Sequence, residues 1–409
     1  MNNKQWNTDK WWVSPFNYSE EVTSKFNLPK NVTIHDATLR DGEQTPGIVL
    51  TKENKIEIAK LLDSVGIDRI EAGMPAVSLE DKNAVKEIVN LGLNAKIFTF
   101  ARAKKEDIDM AIECGADGVI IEIPMGRPKL QYQFAKWSDD DIIEISVDVI
   151  KYAKSQGLEV VYFGYDTTRA DEDFMFRLYD KVINEGKPDS IGIVDTMGCI
   201  LPSAMFNLVK KLKSTFDVKI EVHTHNDYGM GVATSLAAVE AGAEVIHVCV
   251  NGLGERTGNA AVEPIIVALK TLYGMDVPYN IDRLKEVSDK VEEITRFTKA
   301  VNQPFVGKNV YVRESGIGID LVMNTPLAMF AVAPNLTGNV AGVVLGKKSG
   351  AKSIDVELER LEMKNEYTLE QKKEILLEIK NFAIKNRKIL NEEEFKAIIS
   401  AYDSKLENN

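Results

Sequence analysis

Between Thr33 and Gly274 the chain repeats one local pattern: a short apolar run, a polar turn, then an amphipathic stretch. The apolar runs are Thr33–Leu39, Asp68–Ala72, Lys96–Phe100, Gly118–Ile123, Glu159–Gly164, Ser190–Asp195, Lys219–His223 and Glu244–Cys249. They read as buried strands. The stretches between them are Lys52–Val65, Leu79–Asn90, Lys105–Cys114, Asp139–Ser155, Asp171–Glu185, Pro202–Ser214 and Gly229–Ala241, and Ala260–Leu272 closes the series. Apolar residues three and four apart, such as Ile58, Leu61, Leu62 and Val65, put one face of each helix toward a core. Strands that alternate with helices predict a parallel α/β fold. Eight such units over roughly 240 residues fit a closed (β/α)8 TIM barrel better than an open doubly wound sheet.

At 409 residues the chain is longer than one barrel. Residues 1–30, polar and aromatic with Trp6, Trp11, Trp12 and Phe16, read as an N-terminal arm, and 31–276 as the catalytic barrel. The rhythm breaks after Val277, so 277–409 read as a smaller, mostly helical C-terminal subdomain. Within it, Asn280–Val301 reads as a helix, Phe305–Gly350 as a glycine-rich run, and Glu357–Asn408 as a charged, amphipathic pair of helices.

A formal charge of −12 argues against broad binding of nucleic acid or anionic membrane. No apolar run reaches about 18 residues, and the N-terminus lacks an apolar signal core. Cys114, Cys199 and Cys249 are scattered without paired spacing. A cytoplasmic protein with reduced thiols is expected.

In a barrel of this kind the site lies where the strands end at their C-termini. The polar residues there are Arg40 and Asp41 on the first strand, Glu71 on the second, Arg102 near the third and Glu122 on the fourth. The fifth ends in Tyr165 and Asp166, the sixth in Asp195 and Thr196, and the seventh in His223-Thr224-His225. Residues two apart on a strand point to one face, so both imidazoles can reach a single ion, and Asp41 adds a carboxylate. Such a donor set suits Mn, Mg, Zn, Fe or Co as a divalent cation. The arginine fork of Arg40 can hold a carboxylate. His35 and His247, inside apolar strands, read as core residues or as supports behind the site. The loop NGLGERTGN after the eighth strand matches no phosphate-binding P-loop.

The motifs HDATLRDGEQTPG, EAGMPA, DTMG, HTHNDYGMGVATSLAAVEAGA and NGLGERTGNAAVE follow one another over essentially the whole barrel. In that order they resemble the DRE-TIM metallolyase family of acyl-CoA-dependent synthases and lyases. Their RDGEQ-x-PG and GERTGN forms are similar to the 2-isopropylmalate, homocitrate and citramalate synthases, and the lyase's cysteine-bearing glycine loop is not found. The resemblance implies Asp41, His223, His225 and Asn259 as metal ligands. It implies Arg40 as the residue that holds the 2-oxo acid and stabilises the developing alkoxide. Thr196, with Gln44 beside Arg40, would bind the substrate. The implied chemistry is a Claisen-type addition of an acyl-CoA to a 2-oxo acid, followed by thioester hydrolysis to a hydroxy-diacid or hydroxy-triacid and CoA.

FVGKNVYVRESGIGID and VVLGKKSG resemble the synthases' small subdomain. The synthases usually carry histidine at the positions of Arg313, Gly318 and Lys348, and glutamate at that of Tyr165. Tyr165, Glu71, Glu122 and Asp166 are the groups left to move a proton, with Tyr165 better suited as an acid or donor than as a base. About 50 residues, helical and rich in charge, follow the small subdomain, too few for a leucine-sensing domain, so regulation of that kind is not expected. Two other functions fit the same motifs: a metal-dependent C–C lyase or aldolase acting on a 3-hydroxy acid or its CoA ester, and a metal-binding pseudoenzyme. A homodimer is expected from the family.

Overall fold

The computed structural model describes residues 5–364 and 366–407. Eight parallel strands close into a barrel in sequence order, which is the TIM barrel expected from the alternation. They are β1 (Thr33–Asp36), β2 (Arg69–Glu71), β3 (Lys96–Arg102), β4 (Gly118–Pro124), β5 (Glu159–Tyr165), β6 (Ser190–Asp195), β7 (Lys219–Thr224) and β8 (Val245–Val248). Closure is made by β8 on β1, in register from Thr33 opposite Val245 to Asp36 opposite Val248.

The surrounding helices begin and end where local chemistry dictates. Thr51 and Ser138 form capping boxes with Asn54 and Asp141, and Gly66 ends the helix Lys52–Val65 in a left-handed conformation at φ 91°. Each such N-cap contributes about 1 kcal/mol. Inside the barrel, Phe98, Phe100, Ile120, Val161, Phe163 and Val194 form an apolar plug. Beneath it lies an ionic one. Arg69, at the start of β2, binds Glu159 at 2.5 Å and Glu221 at 2.7 Å, and Ser190 also donates to Glu221.

The chain divides into two compact units, Ser14–Lys299 and a second made of residues up to Val13 with Ala300 onward. The helix Leu284–Thr295 belongs to the barrel unit, beyond the break read near Val277. It buries Leu284, Val287 and Val291, and its Ser288 carbonyl accepts from the Asn251 amide. Residues 5–30 are shared between the units. Trp12 N donates to Ala331 O and Ala333 N to Lys10 O, both 2.8 Å, whereas Asn27 N donates to Glu240 O at 2.7 Å. Residues 1–4 lie outside the described residues.

The second unit packs Leu345, Ile354, Leu358, Ile375, Ile379, Phe395, Ile399 and Tyr402 together. These side chains come largely from the helices Ala351–Arg360, Leu369–Asn386 and Glu392–Glu407; from Glu357 onward the tail holds the last turn of the first and the whole of the other two, which are the pair read there. Asn408, where that tail was read to end, lies outside the described residues. Among the described residues no helix is long and apolar enough to cross a membrane.

Candidate active site

Strand alternation builds the wall of a cavity of about 500 Å³ in the barrel unit. Phe163 and Tyr165, Val194 and Thr196, and His223 and His225 are pairs two residues apart, and all six line it, as do Arg40, Asp41, Gln44 and Glu122. β1 stops at Asp36, earlier than the expected Leu39, because the chain turns: Arg40 N and Gly42 N both donate to Ala37 O. Arg40 and Asp41 therefore sit in a turn rather than on a strand. Thr38 and Thr45 fasten that turn to the loop after β8, accepting from Val250 N at 2.9 Å and from Gly254 N at 2.8 Å.

Asp41, His223 and His225 converge. Asp41 Oδ2 lies 3.3 Å from His223 Nε2 and 3.7 Å from His225 Nε2, and the two Nε2 atoms are 3.3 Å apart. Three donors held about 2.1 Å from one tetrahedral ion would be separated by about 3.4 Å, so this spacing fits a shared divalent cation. Burial lowers both histidine pKa values, that of His225 to about 4, so each imidazole keeps a lone pair for a metal. Burial opposes ionisation of Asp41, but the Arg40 guanidinium and the imidazoles outweigh it and hold the carboxyl well below its usual range. Asn259 Nδ2 donates to Asp41 Oδ2 at 2.6 Å and to Leu253 O at 3.0 Å, while its Oδ1 is buried without a hydrogen-bond partner. That orphaned oxygen is the atom Asn259 can offer to an ion.

The glycines of NGLGERTGN have steric reasons to be there. Gly258 has φ 84°, and a Cβ on it would lie 1.8 Å from Gly252 O. At Gly254, φ 145°, a Cβ would lie 2.2 Å from Asn259 Nδ2. These close approaches place the loop around Asn259.

Glu71 stands behind Arg40. It is fully buried and accepts from Arg40 Nε at 2.6 Å and Nη2 at 3.3 Å. Burial pushes the Glu71 carboxyl up, yet Arg40 and His35 pull it down to about 2. Glu71 does not line the cavity, and it occupies one edge of the arginine fork, leaving Nη1, 3.5 Å from Asp41, toward the site. Arg40 also lies over the Phe100 ring, 4.3 Å from its centroid.

Thr196 is buried and accepts from Asp166 N at 2.8 Å, which leaves its own hydroxyl hydrogen to donate. The side chain of Gln44 ends a short 3-10 turn, Gly42–Gln44, at the cavity edge. Tyr165 is half-buried, and burial raises its phenol above the ordinary value, so it stays protonated. Asp166 is held by Arg169 at 2.7 Å and Asp195 by Thr168 at 2.8 Å, and Arg102 pairs with Asp107 at 2.8 Å. None of these three lines the cavity. His35 and His247 stack at 4.2 Å, and His247 binds Glu221 at 2.8 Å. Together with Glu221 they form a second cluster of possible metal ligands, but Arg69 already neutralises that carboxylate.

Two lysines of the cavity escaped the sequence reading. Lys55 is 2% exposed and bridges Glu43 at 2.7 Å and Asp81 at 2.5 Å. Lys129 sits on an unread helix, Arg127–Tyr132, whose start the Gly126-Arg127-Pro128 sequence could have signalled. Its ammonium lies 3.4 Å from the centroid of the Tyr165 ring.

The HMGL-like family model matches residues 31–291. The chain belongs to the HMGL-like family. Within this family, homocitrate synthase AksA of Methanothermobacter thermautotrophicus is 40% identical over 395 residues, covering 96% of this chain and 98% of the relative. The 2-isopropylmalate synthase of Methanocaldococcus jannaschii is 40% identical over 389 residues, 95% of this chain and 74% of that one. Among solved structures, the HMG-CoA lyase of Bacillus subtilis superposes with a TM-score of 0.60 at 19% identity, covering 66% of this chain and 95% of the lyase. At that identity the likeness is one of fold.

Proposed function

We infer that the protein is an acyl-CoA:2-oxo-acid condensing enzyme that works with a divalent metal. The observation that carries the reading is the convergence of Asp41, His223 and His225 beside Arg40 on one cavity wall, in a chain 40% identical to homocitrate and 2-isopropylmalate synthases.

Asp41, His223 and His225 would hold the cation, with Asn259 Oδ1 as a fourth donor. When bound there, the cation supplies Lewis acidity to the ketone of the 2-oxo acid. Arg40, seated by Glu71 and Phe100, presents Nη1 to the substrate and to the negative charge that grows on the ketone oxygen. Thr196 donates its hydroxyl to the substrate carboxylate. Gln44, which also lines the cavity, would bind the substrate beside Arg40. Tyr165, protonated, serves as a donor or acid to the product oxygen rather than as a base. Hydrolysis of the thioester then gives a hydroxy-diacid or hydroxy-triacid and free CoA.

A homodimer in the cytoplasm completes the reading. The exposed Ile317, Leu321, Met323 and Val340 of the second unit support self-association, and the three free thiols suit a reducing compartment. The test is thiol release from acetyl-CoA with Mn²⁺ or Mg²⁺ and a panel of 2-oxoglutarate, pyruvate, 2-oxoisovalerate and oxaloacetate. Release with at least one oxo acid is expected. No release with any of them would sink the reading.

A further inference from the structure

Five carboxyl groups line the cavity: Asp41, Glu43, Asp81, Glu122 and Glu255. Four of them are engaged. Asp41 faces the two histidines, Glu43 and Asp81 share the Lys55 ammonium, and Glu255 lies 3.4 Å from Arg256. Glu122 alone makes no side-chain hydrogen bond and no ion pair among the described residues. It nonetheless stands on a rigid strand, paired in register with Arg102 on β3 and Phe163 on β5. A carboxylate set in a cavity without a hydrogen bond or ion pair is costly to stability, so its place there points to work on a ligand.

We propose that Glu122 is the catalytic base that removes the α-proton of the acyl thioester. The inference rests on the condensation reading above. In the step, the C–H bond of the acyl group breaks, its proton goes to the Glu122 carboxylate, and its electron pair enters the enolate. The enolate carbon then bonds to the ketone carbon of the 2-oxo acid, whose π pair passes to the ketone oxygen. Water later cleaves the C–S bond, and CoA leaves as the thiol.

The surroundings suit such a base. Burial pushes the Glu122 carboxyl up, while Lys129 and Arg40 oppose it and keep the group ionisable. A carboxylate made more basic without being neutralised is what proton abstraction near neutral pH requires. The other acids considered from sequence are spent, Glu71 on Arg40 and Asp166 on Arg169.

The test compares Glu122→Gln and Glu122→Asp with wild type, using the active oxo acid and either acetyl-CoA or trideuterioacetyl-CoA. Glu122→Gln is expected to lower kcat by about 10²–10⁴-fold, the usual contribution of a general base. The KM for the oxo acid should stay within about threefold, and the deuterium isotope effect should rise as proton removal becomes slowest. Glu122→Asp, which keeps a carboxylate one methylene back, should fall between and provides the readout if the glutamine variant does not fold. A kcat within about threefold of wild type, or a loss with an unchanged isotope effect and a raised KM, would overturn the assignment and leave the condensation intact. A wild-type protein that releases no thiol from any pair would overturn both.

Discussion

Replacing Glu71 by glutamine isolates what the ion pair beneath Arg40 contributes. The carboxylate is fully buried, receives two hydrogen bonds from Arg40, and lies 3.5 Å from His35 Nε2. Burial raises its pKa, Arg40 more than reverses that, and the value falls from 4.5 to about 2. That lowering favours the ionised folded state by about 3 kcal/mol. That agrees with the ~3–5 kcal/mol typical for breaking a buried pair from one side. Because the folded pKa is depressed, the stabilisation is complete above the unfolded value of 4.5 and disappears as pH falls through about 2. Glu71→Gln keeps the volume but leaves the guanidinium without this counter-ion. Denaturant unfolding followed by circular dichroism should therefore show a deficit of about 3 kcal/mol at pH 7, shrinking to under half by about pH 3. With its seat gone, Arg40 should lose its aim, and kcat/KM for the oxo acid should fall at least ~10²-fold. A deficit below about 0.5 kcal/mol at both pH values would refute the reasoning, because the pair would then offset no more than its own desolvation.

His223→Ala should abolish metal retention after dialysis, read as metal per chain by elemental analysis; wild-type content would remove His223 from the ligand set. Gly258→Ala places a Cβ 1.8 Å from Gly252 O at φ 84°, so the loop must move and carry Asn259 with it. Metal affinity should drop by at least about tenfold, as for changes to groups that orient ligands, with the far-UV spectrum unchanged. Unaltered affinity would mean that the loop does not position Asn259.

Much of this architecture is legible from residue pattern because its causes are local. The helices Lys52–Val65, Leu79–Asn90, Lys105–Cys114 and Asp139–Ser155 have the bounds their spacing predicts, since caps and apolar stripes are written within the segment. The convergence of His223 and His225 follows from strand periodicity alone. The long-range pairings were not readable. Nothing near Glu71 in sequence says that Arg40, 31 residues earlier, will take its carboxylate, although an acid inside an apolar strand signals that some cation must. The buried plug of Arg69, Glu159, Glu221 and Ser190 is hidden for the same reason, because each member begins or lies within a different strand.

The two halves of the proposed chemistry differ in what reveals them. A metal site is a presence: donors of the right kind at the right spacing, and two of the three occur within three consecutive residues. A general base is partly an absence, a carboxyl in the cavity that no hydrogen bond or ion pair engages. That can be known only when every other side chain has been placed. Glu43, Asp81 and Glu255 look as available as Glu122 in one dimension, and Lys55 and Arg256 remove them in three. The substitution of tyrosine at position 165 gains meaning in the same way. With its phenol kept protonated and Lys129 over its ring, Tyr165 is fitted to donate, and in the proposed reaction the task of accepting a proton falls to the neighbouring strand, at Glu122.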